Sequence, residues 1–270
     1  MTTIPTDAKQ IESLIASAEL LRQAVGRPLP AFDAQTYLRP VPRGCSVLSV
    51  DPVNRPQQGV TKSWGRGPVM IQKWIGDRDD AFKRRRSQEE AGDRVTRTTP
   101  EKSLQSFLVG DAIAHGGWMQ ALMAGCNESP QPRLRFLIDE VAFRKIEGDG
   151  KDVLDLMAIR EQAGTHVMVA IELKSARQLS RITNQVNTAA GFMERNRAGM
   201  ERLAEASWGE QIRLADQAER WIVWKANKAG RHGDADPQAD VCRAKGIRLA
   251  TYEKAKSGGF ILHAAAPRKT

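Results

Sequence analysis

The chain is poor in the residues that build several common kinds of site. Among 270 residues there are only three cysteines, Cys45, Cys126 and Cys242, odd in number and far apart. No CxxC pair exists, so neither a disulfide framework nor a cysteine zinc site is expected, and a reducing compartment is the natural setting. The four histidines, His115, His166, His232 and His263, are scattered singly with no HExxH spacing, and none is assigned a role. Aromatic residues make up 6%. No apolar run approaches the roughly 18–20 residues of a membrane span. The opening residues MTTIPTDAKQ lack a basic-then-apolar leader, so a cytoplasmic location is the expectation. Phosphate-loop, dinucleotide-binding and nucleophile-elbow glycine motifs are missing as well, which disfavours those chemistries.

Positive charge is in surplus. Forty-one Lys and Arg against 32 Asp and Glu give a net charge of +9. Such a surplus favours an anionic partner, and nucleic acid is the commonest. A hydrophobic share of 41% is enough to bury a core.

Residues 6–25 read as a helix, with Ile11, Leu14, Ile15, Ala18, Leu21 and Val25 on one stripe and Gly26 to end it. The next stretch is broken by RPLP, RPVPRG, DPVNRP and SWGRGP. Eight of the thirteen prolines fall between positions 28 and 100, so loops and short strands (VLSV, VMIQKWI) are expected. Lys83-Arg84-Arg85-Arg86 reads as a basic cluster on a solvated helix, and Trp64 and Trp74 lie in the same basic region.

From residue 98 the pattern becomes regular. Thr99 can cap a helix with Pro100 at its first position, and Leu104, Phe107, Leu108, Ala112 and Ile113 form its apolar face. Three strand-like segments follow, RLRFLIDEVAFRKI, DVLDLMAIR and HVMVAIELKS. An amphipathic helix has Leu179, Ile182, Val186, Ala190 and Met193 on one side and Arg177, Arg181, Gln185 and Thr188 on the other. After a polar helical stretch come the strand RWIVWKA, a short helix ending at Gly246, and closing strands IRLATYE and GFILHAA. This order predicts an α/β protein with a mixed central sheet flanked by helices. The expected division is a helical, basic and loop-rich extension over 1–97 and a core over 98–270. Trp118, Trp221 and Trp224 are expected in that core.

The stretch that carries chemistry runs from Asp155 to Lys174. In a strand, Glu172 and Lys174 share a face, and Ile171 and Leu173 point to the other. An apolar strand ending in two charges is costly unless they meet a partner or an ion. If Ala163-Gly164 form a hairpin turn, Asp155 falls opposite Glu172, with Cβ atoms about 5 Å apart. Two carboxylates that close repel, and a hard divalent cation such as Mg²⁺, with Mn²⁺ as a substitute, turns that repulsion into binding. An ammonium group beside such an ion could orient a water or neutralise charge on a phosphate.

Asp155 followed by Glu172-Leu173-Lys174, within VLDLMAIR and VMVAIELKSAR, resembles the PD-(D/E)XK nuclease superfamily, especially its restriction-endonuclease-like and Holliday-junction-resolvase-like branches. The resemblance covers roughly residues 98–226. It implies a restriction-endonuclease-like fold and Mg²⁺-dependent hydrolysis of phosphodiester bonds, most readily in DNA. Asp155 and Glu172 would be metal ligands, the Leu173 carbonyl a third oxygen, and Lys174 the catalytic lysine. The family's usual proline before the aspartate is replaced by Val153-Leu154. Secondary candidates are Glu101 at the start of the first core helix, Asp139 and Glu140 on the first strand, and Gln185. Glu140 is expected to share a face with Phe136 and Ile138. Arg177 and Arg181 are candidate phosphate contacts. A homodimer or a larger DNA-processing or defence complex would suit such an enzyme, and no membrane partner is expected. The rival reading is a catalytically inactive protein of the same fold that binds nucleic acid or an acidic protein.

Overall fold

The computed structural model describes residues 7–30, 36–42, 44–49, 62–63, 99–124, 126, 128–144, 151–176, 179–256 and 258–264. The VMIQKWI segment, the Lys83–Arg86 cluster, Trp64, Trp74 and Arg177 lie outside them.

Helix α1 spans Asp7–Val25 and buries Ile11, Leu14, Ile15, Ala18 and Leu21, the stripe expected from its spacing. Gly26 ends it at φ +69°. Strands β1 (Thr36–Val41), β2 (Gly44–Ser49) and β3 (Lys62–Ser63) make a small antiparallel sheet in that order. Helix α2 covers Pro100–Ala114, with Thr99 Oγ1 accepting the Lys102 amide at 3.3 Å as its cap. Gly116 and Gly117, both at positive φ, break the chain before the short α3 (Gln120–Met123). Only glycine adopts that conformation without strain.

The main sheet has six strands in the order in which they occur along the chain. β4 (Arg133–Arg144), β5 (Lys151–Gln162) and β6 (Thr165–Lys174) form an antiparallel meander. The chain then crosses over through α4 (Leu179–Arg195) and α5 (Arg197–Trp208) to β7 (Glu219–Lys225), parallel to β6. A second crossover, containing α6 (Ala239–Ala244), leads to β8 (Ile247–Lys254), parallel to β7. The antiparallel β9 (Phe260–Ala264) closes the edge. The protein is therefore a mixed α/β fold with a mixed sheet flanked by helices.

Alternation along the strands splits the core in two, except at Asp155, where β5 changes face and leaves Leu154 and Leu156 in different clusters. Met168 and Ala170 of β6 join Leu154, Ile182, Val186, Ile222, Trp224 and Leu249 on one face. Val169, Ile171 and Leu173 join Leu104, Leu108, Leu156, Trp221 and Val223 on the other. Helix α1 belongs to the first cluster through its contact with α5. That contact depends on Gly199, where a Cβ would lie 2.8 Å from Ile11 Cγ2. Tyr37 of β1 packs edge-on against Phe136 in the second cluster. The 1–97 segment thus contributes to both halves of the core.

The β5–β6 turn is Ala163-Gly164, at φ +50° and +77°, the two positive values that a tight two-residue hairpin turn takes. It sets Gln162 opposite Thr165 and Leu156 opposite Ile171, the register expected from the sequence. β4 departs from expectation. Its register shifts between Phe136 and Ile138, and Glu140 takes φ +50°. Phe136 and Ile138 consequently fall in different core clusters, and Glu140 does not share a face with both. A bulge adds one residue to a strand and resets its alternation, which spacing alone does not reveal. Trp221 and Trp224 are fully buried, whereas Trp118 is half-buried with the Arg133 guanidinium 4.1 Å above its ring. Among the described residues no helix is long and apolar enough to cross a membrane.

Candidate metal centre

The C-terminal end of β6 gathers the three residues singled out in the sequence. The paired ladder of β5 and β6 runs as far as Leu156 and Ile171, so Asp155 and Glu172 sit just beyond it. Asp155 turns an oxygen onto the next strand, where its Oδ2 accepts the Leu173 amide at 2.8 Å. Leu173 therefore enters the site through its N–H. Lys174 Nζ pairs with Glu172 Oε1 and lies 3.8 Å from Asp155 Oδ2. Both carboxylates thus converge on one ammonium nitrogen.

Glu172 is 0% exposed. Its position on β6 puts it level with Ile222 of β7 and Leu249 of β8, in the most covered part of the sheet. Burial and the neighbouring Asp155 charge push its carboxyl up to about 8. Asp155 is raised as well, by burial that outweighs the pull of Lys174 and the Leu173 amide. Burial works to lower Lys174, but the two carboxylates prevail and raise it. Two acids that resist ionising together and a lysine that holds its proton are the signature of a site short of positive charge.

Further charged groups ring the trio. Glu101 of α2 accepts the Ser175 amide at 2.8 Å and the Ser175 hydroxyl at 2.5 Å, which ties the helix start to the residue after Lys174. Burial works to raise it, but those two bonds together with hydrogen bonds from its own amide and the Thr99 hydroxyl prevail, and Glu101 is held below its ordinary range. Lys102 pairs with Glu140 and donates to Gln105 Oε1 at 3.0 Å. Gln105 in turn donates to Asp139 Oδ2 at 2.6 Å. Arg39 of β1 reaches the same pair of acids, 3.4 Å from Asp139 and in contact with Glu140, and donates to Ser46 at 3.0 Å. Burial, outweighing the opposing pull of nearby positive charge, raises Asp139. Burial likewise lowers Lys102, although the charges of Asp155 and Asp139 work the other way.

Gln185 does not reach the carboxylates. It donates to the Val153 carbonyl at 3.0 Å, bracing β5 two residues before Asp155. Arg181 is exposed on α4. Arg39, Lys102 and Gln105 were not singled out in the sequence. The helical spacing of Glu101, Lys102 and Gln105 was a usable signal for α2, but Arg39 had none, being a hundred residues from its partner.

The donor set fits a hard divalent cation. It offers carboxylate oxygens and no thiolate or imidazole, the choice that suits Mg²⁺ or Mn²⁺. Glu172 Oε2 is a buried oxygen without a hydrogen-bond partner among the described residues. Such an atom costs stability unless something positive or protic meets it.

Comparison of the chain with protein-family models, with curated proteins and with solved structures finds no match.

Proposed function

We propose that the chain is a metal-dependent nuclease of the PD-(D/E)XK kind, with a restriction-endonuclease-like core, that hydrolyses phosphodiester bonds, most readily in DNA. The observation that carries this reading is the fully buried Glu172, one oxygen held by Lys174 and the other without a partner, beside Asp155. Its support extends to the element order, since the helix, three antiparallel strands, crossover helix and parallel strand of residues 100–225 resemble that superfamily's core. A net charge of +9 suits a polyanionic substrate.

Asp155 and Glu172 would hold Mg²⁺, or Mn²⁺ in its place. When bound, the ion polarises a phosphoryl oxygen and lowers the pKa of its water. The protein's own groups do the rest. The Leu173 amide fixes the rotamer of Asp155, and Lys174 fixes one oxygen of Glu172. Lys174 stays protonated and supplies a positive charge where the phosphate gains negative charge. Glu101 anchors Ser175 and so holds the end of β6 in place. Gln185 keeps β5 against α4. Arg177 and Arg181 are the proposed backbone contacts for DNA, Arg181 standing on the exposed side of α4. In the reaction a water oxygen bonds to phosphorus, one phosphorus–oxygen ester bond breaks, and the products are a phosphate monoester and a hydroxyl.

The test is incubation of supercoiled and linear DNA with the protein in Mg²⁺, beside Glu172→Gln and Lys174→Met proteins. The reading expects cleavage by the wild type, its loss in EDTA, and its loss in both variants. Cleavage unchanged by both substitutions overturns it. Salt-sensitive DNA binding without cleavage by any of the three proteins would support the inactive relative instead.

A further inference from the structure

The sequence scatters its histidines, but the fold does not. His232, in the crossover between β7 and α6, meets Glu253 of β8 and His263 of β9, with one donor atom from each within 4.8 Å of the others. His232 Nε2 is 3.6 Å and His263 Nε2 3.8 Å from the two oxygens of Glu253. Both separations are longer than a hydrogen bond. They are close to the roughly 3.4 Å between donors that share a tetrahedral ion at bonds of about 2.0–2.1 Å. His263 Nε2 is also a buried nitrogen without a hydrogen-bond partner among the described residues.

Thr251 is placed to hold His232 in the tautomer that a metal needs. Thr251 Oγ1 lies 3.1 Å from the Gly233 amide, 3.2 Å from His232 Nδ1 and 3.4 Å from the His263 carbonyl. A hydroxyl has one proton and two lone pairs. When the hydroxyl donates to the carbonyl, the amide and Nδ1 both donate to Thr251 Oγ1, and this tautomer turns the Nε2 lone pair of His232 toward Glu253. Ligand imidazoles usually donate their other ring N–H to a carboxylate, carbonyl or water, and here the buried Thr251 hydroxyl takes that place.

We propose that His232, Glu253 and His263 form a second metal site, selective for a Zn²⁺-class transition ion. Two imidazoles and one carboxylate are the donors that borderline ions prefer to Mg²⁺ or Ca²⁺. Glu253 is 48% exposed on its side chain, so water completes the coordination from the solvent side. The site is separate from the Asp155–Glu172 pair. Lys174, Trp224, Thr251 and His263 stand level across four adjacent strands, so His263 is three strand spacings from Lys174, about 14 Å. The bound ion joins the crossover after β7 to the last hairpin, adding a link to an edge strand that is otherwise held by pairing with β8 and by the packing of Phe260 and Leu262.

The test uses the full chain stripped with EDTA and then titrated with Co²⁺, followed by its visible absorption and by the metal retained after gel filtration. Wild-type protein and an Asp155→Asn/Glu172→Gln protein are both expected to show the strong d–d bands of one low-coordinate site, and any further, weakly absorbing Co²⁺ taken up by the wild type is expected at the Asp155–Glu172 pair and absent from the double variant. His263→Ala and Glu253→Gln are expected to lose those bands. Thr251→Val, which keeps the shape and removes the hydroxyl, is expected to weaken binding by about 10–100-fold. Zn²⁺ is expected to raise the melting temperature of the wild type and not of His263→Ala. Glu253 is half-exposed, so its variant keeps the test open if His263→Ala does not fold. Weak octahedral absorption alone in the Asp155→Asn/Glu172→Gln protein, thiolate charge-transfer bands, or strong bands that survive in the Glu253 variant would each overturn the proposal.

Discussion

The amide of Leu173 donates to Asp155 Oδ2 at 2.8 Å, where the next step of the β5–β6 ladder would otherwise fall. A side chain thus takes over the satisfaction of a strand amide, and the acid it belongs to is locked toward Glu172. Pairing of β6 with β5 stops where the chemistry is proposed to begin, while its pairing with β7 runs on to Lys174.

Lys174 is the partner of both acids, so its removal separates charge balance from metal binding. Lys174→Met is expected to lower DNA cleavage by about 10²–10³-fold, the usual cost of losing one charge stabiliser. It is expected to leave Mn²⁺ affinity unchanged or higher, because a competitor for the carboxylates is gone. Single-turnover cleavage and Mn²⁺ titration of the same preparations check the two halves. Loss of Mn²⁺ binding in this variant would mean that Lys174 builds the site and does not act in it.

Glu172 gives a pH signature in metal-free buffer. Its carboxyl is raised to about 8 from an ordinary 4.5, so the folded state holds this proton longer than the unfolded state. For an acid shifted upward, stability falls as pH rises between those two values and is level above them. Glu172→Gln has no such proton. The melting temperature of the wild type in EDTA is therefore expected to drop relative to Glu172→Gln between about pH 5 and 8, and added Mn²⁺ to reverse the drop at pH 8. Parallel melting curves across that range would contradict the burial argument.

Arg39 ties the small N-terminal sheet to the acids next to the site. Its side chain is 7% exposed and that of Asp139 fully buried. Arg39→Met leaves Asp139 without its guanidinium and is expected to cost about 3–5 kcal/mol in urea unfolding. Adding Asp139→Asn is expected to recover a large part of that loss, which a double-mutant cycle measures. Simple additivity would show that the pair does not interact.

Gly199 of α5 lies directly against Ile11 of α1. Gly199→Ala sets a methyl against Ile11 Cγ2 and is expected to destabilise the fold by about 1–3 kcal/mol, although alanine is the better helix former. Recovery in Gly199→Ala/Ile11→Leu, which removes the Cγ2 branch at nearly equal volume, would assign the loss to that contact. A stabilised Gly199→Ala protein would show that the helices can move apart.

Much of this architecture is local and was readable as such. The apolar stripe of α1, the Thr99-Pro100 start of α2 and the Ala163-Gly164 turn each follow from short-range chemistry. The turn in turn sets the register that brings Asp155 and Glu172 to one end of neighbouring strands. What spacing could not supply is long-range or irregular. The β4 bulge resets the faces of Glu140 and its neighbours. Arg39 finds Asp139 from a separate sheet. Gln185 has the polar position expected of it, but its partner is the Val153 carbonyl, because the crossing of α4 over β5 is a tertiary fact. His232 and His263 looked isolated because the strand pairing of Thr251 with His263 is invisible until the last hairpin is folded.

The most direct test of the central claim is a crystal of the protein soaked in Mn²⁺, with the anomalous signal of the ion as readout. A peak within bonding distance of both Asp155 and Glu172 carboxylates, with Lys174 Nζ beside it, is the result expected. A crystal that takes up Mn²⁺ elsewhere, with Glu172 Oε2 still meeting no cation, would contradict it.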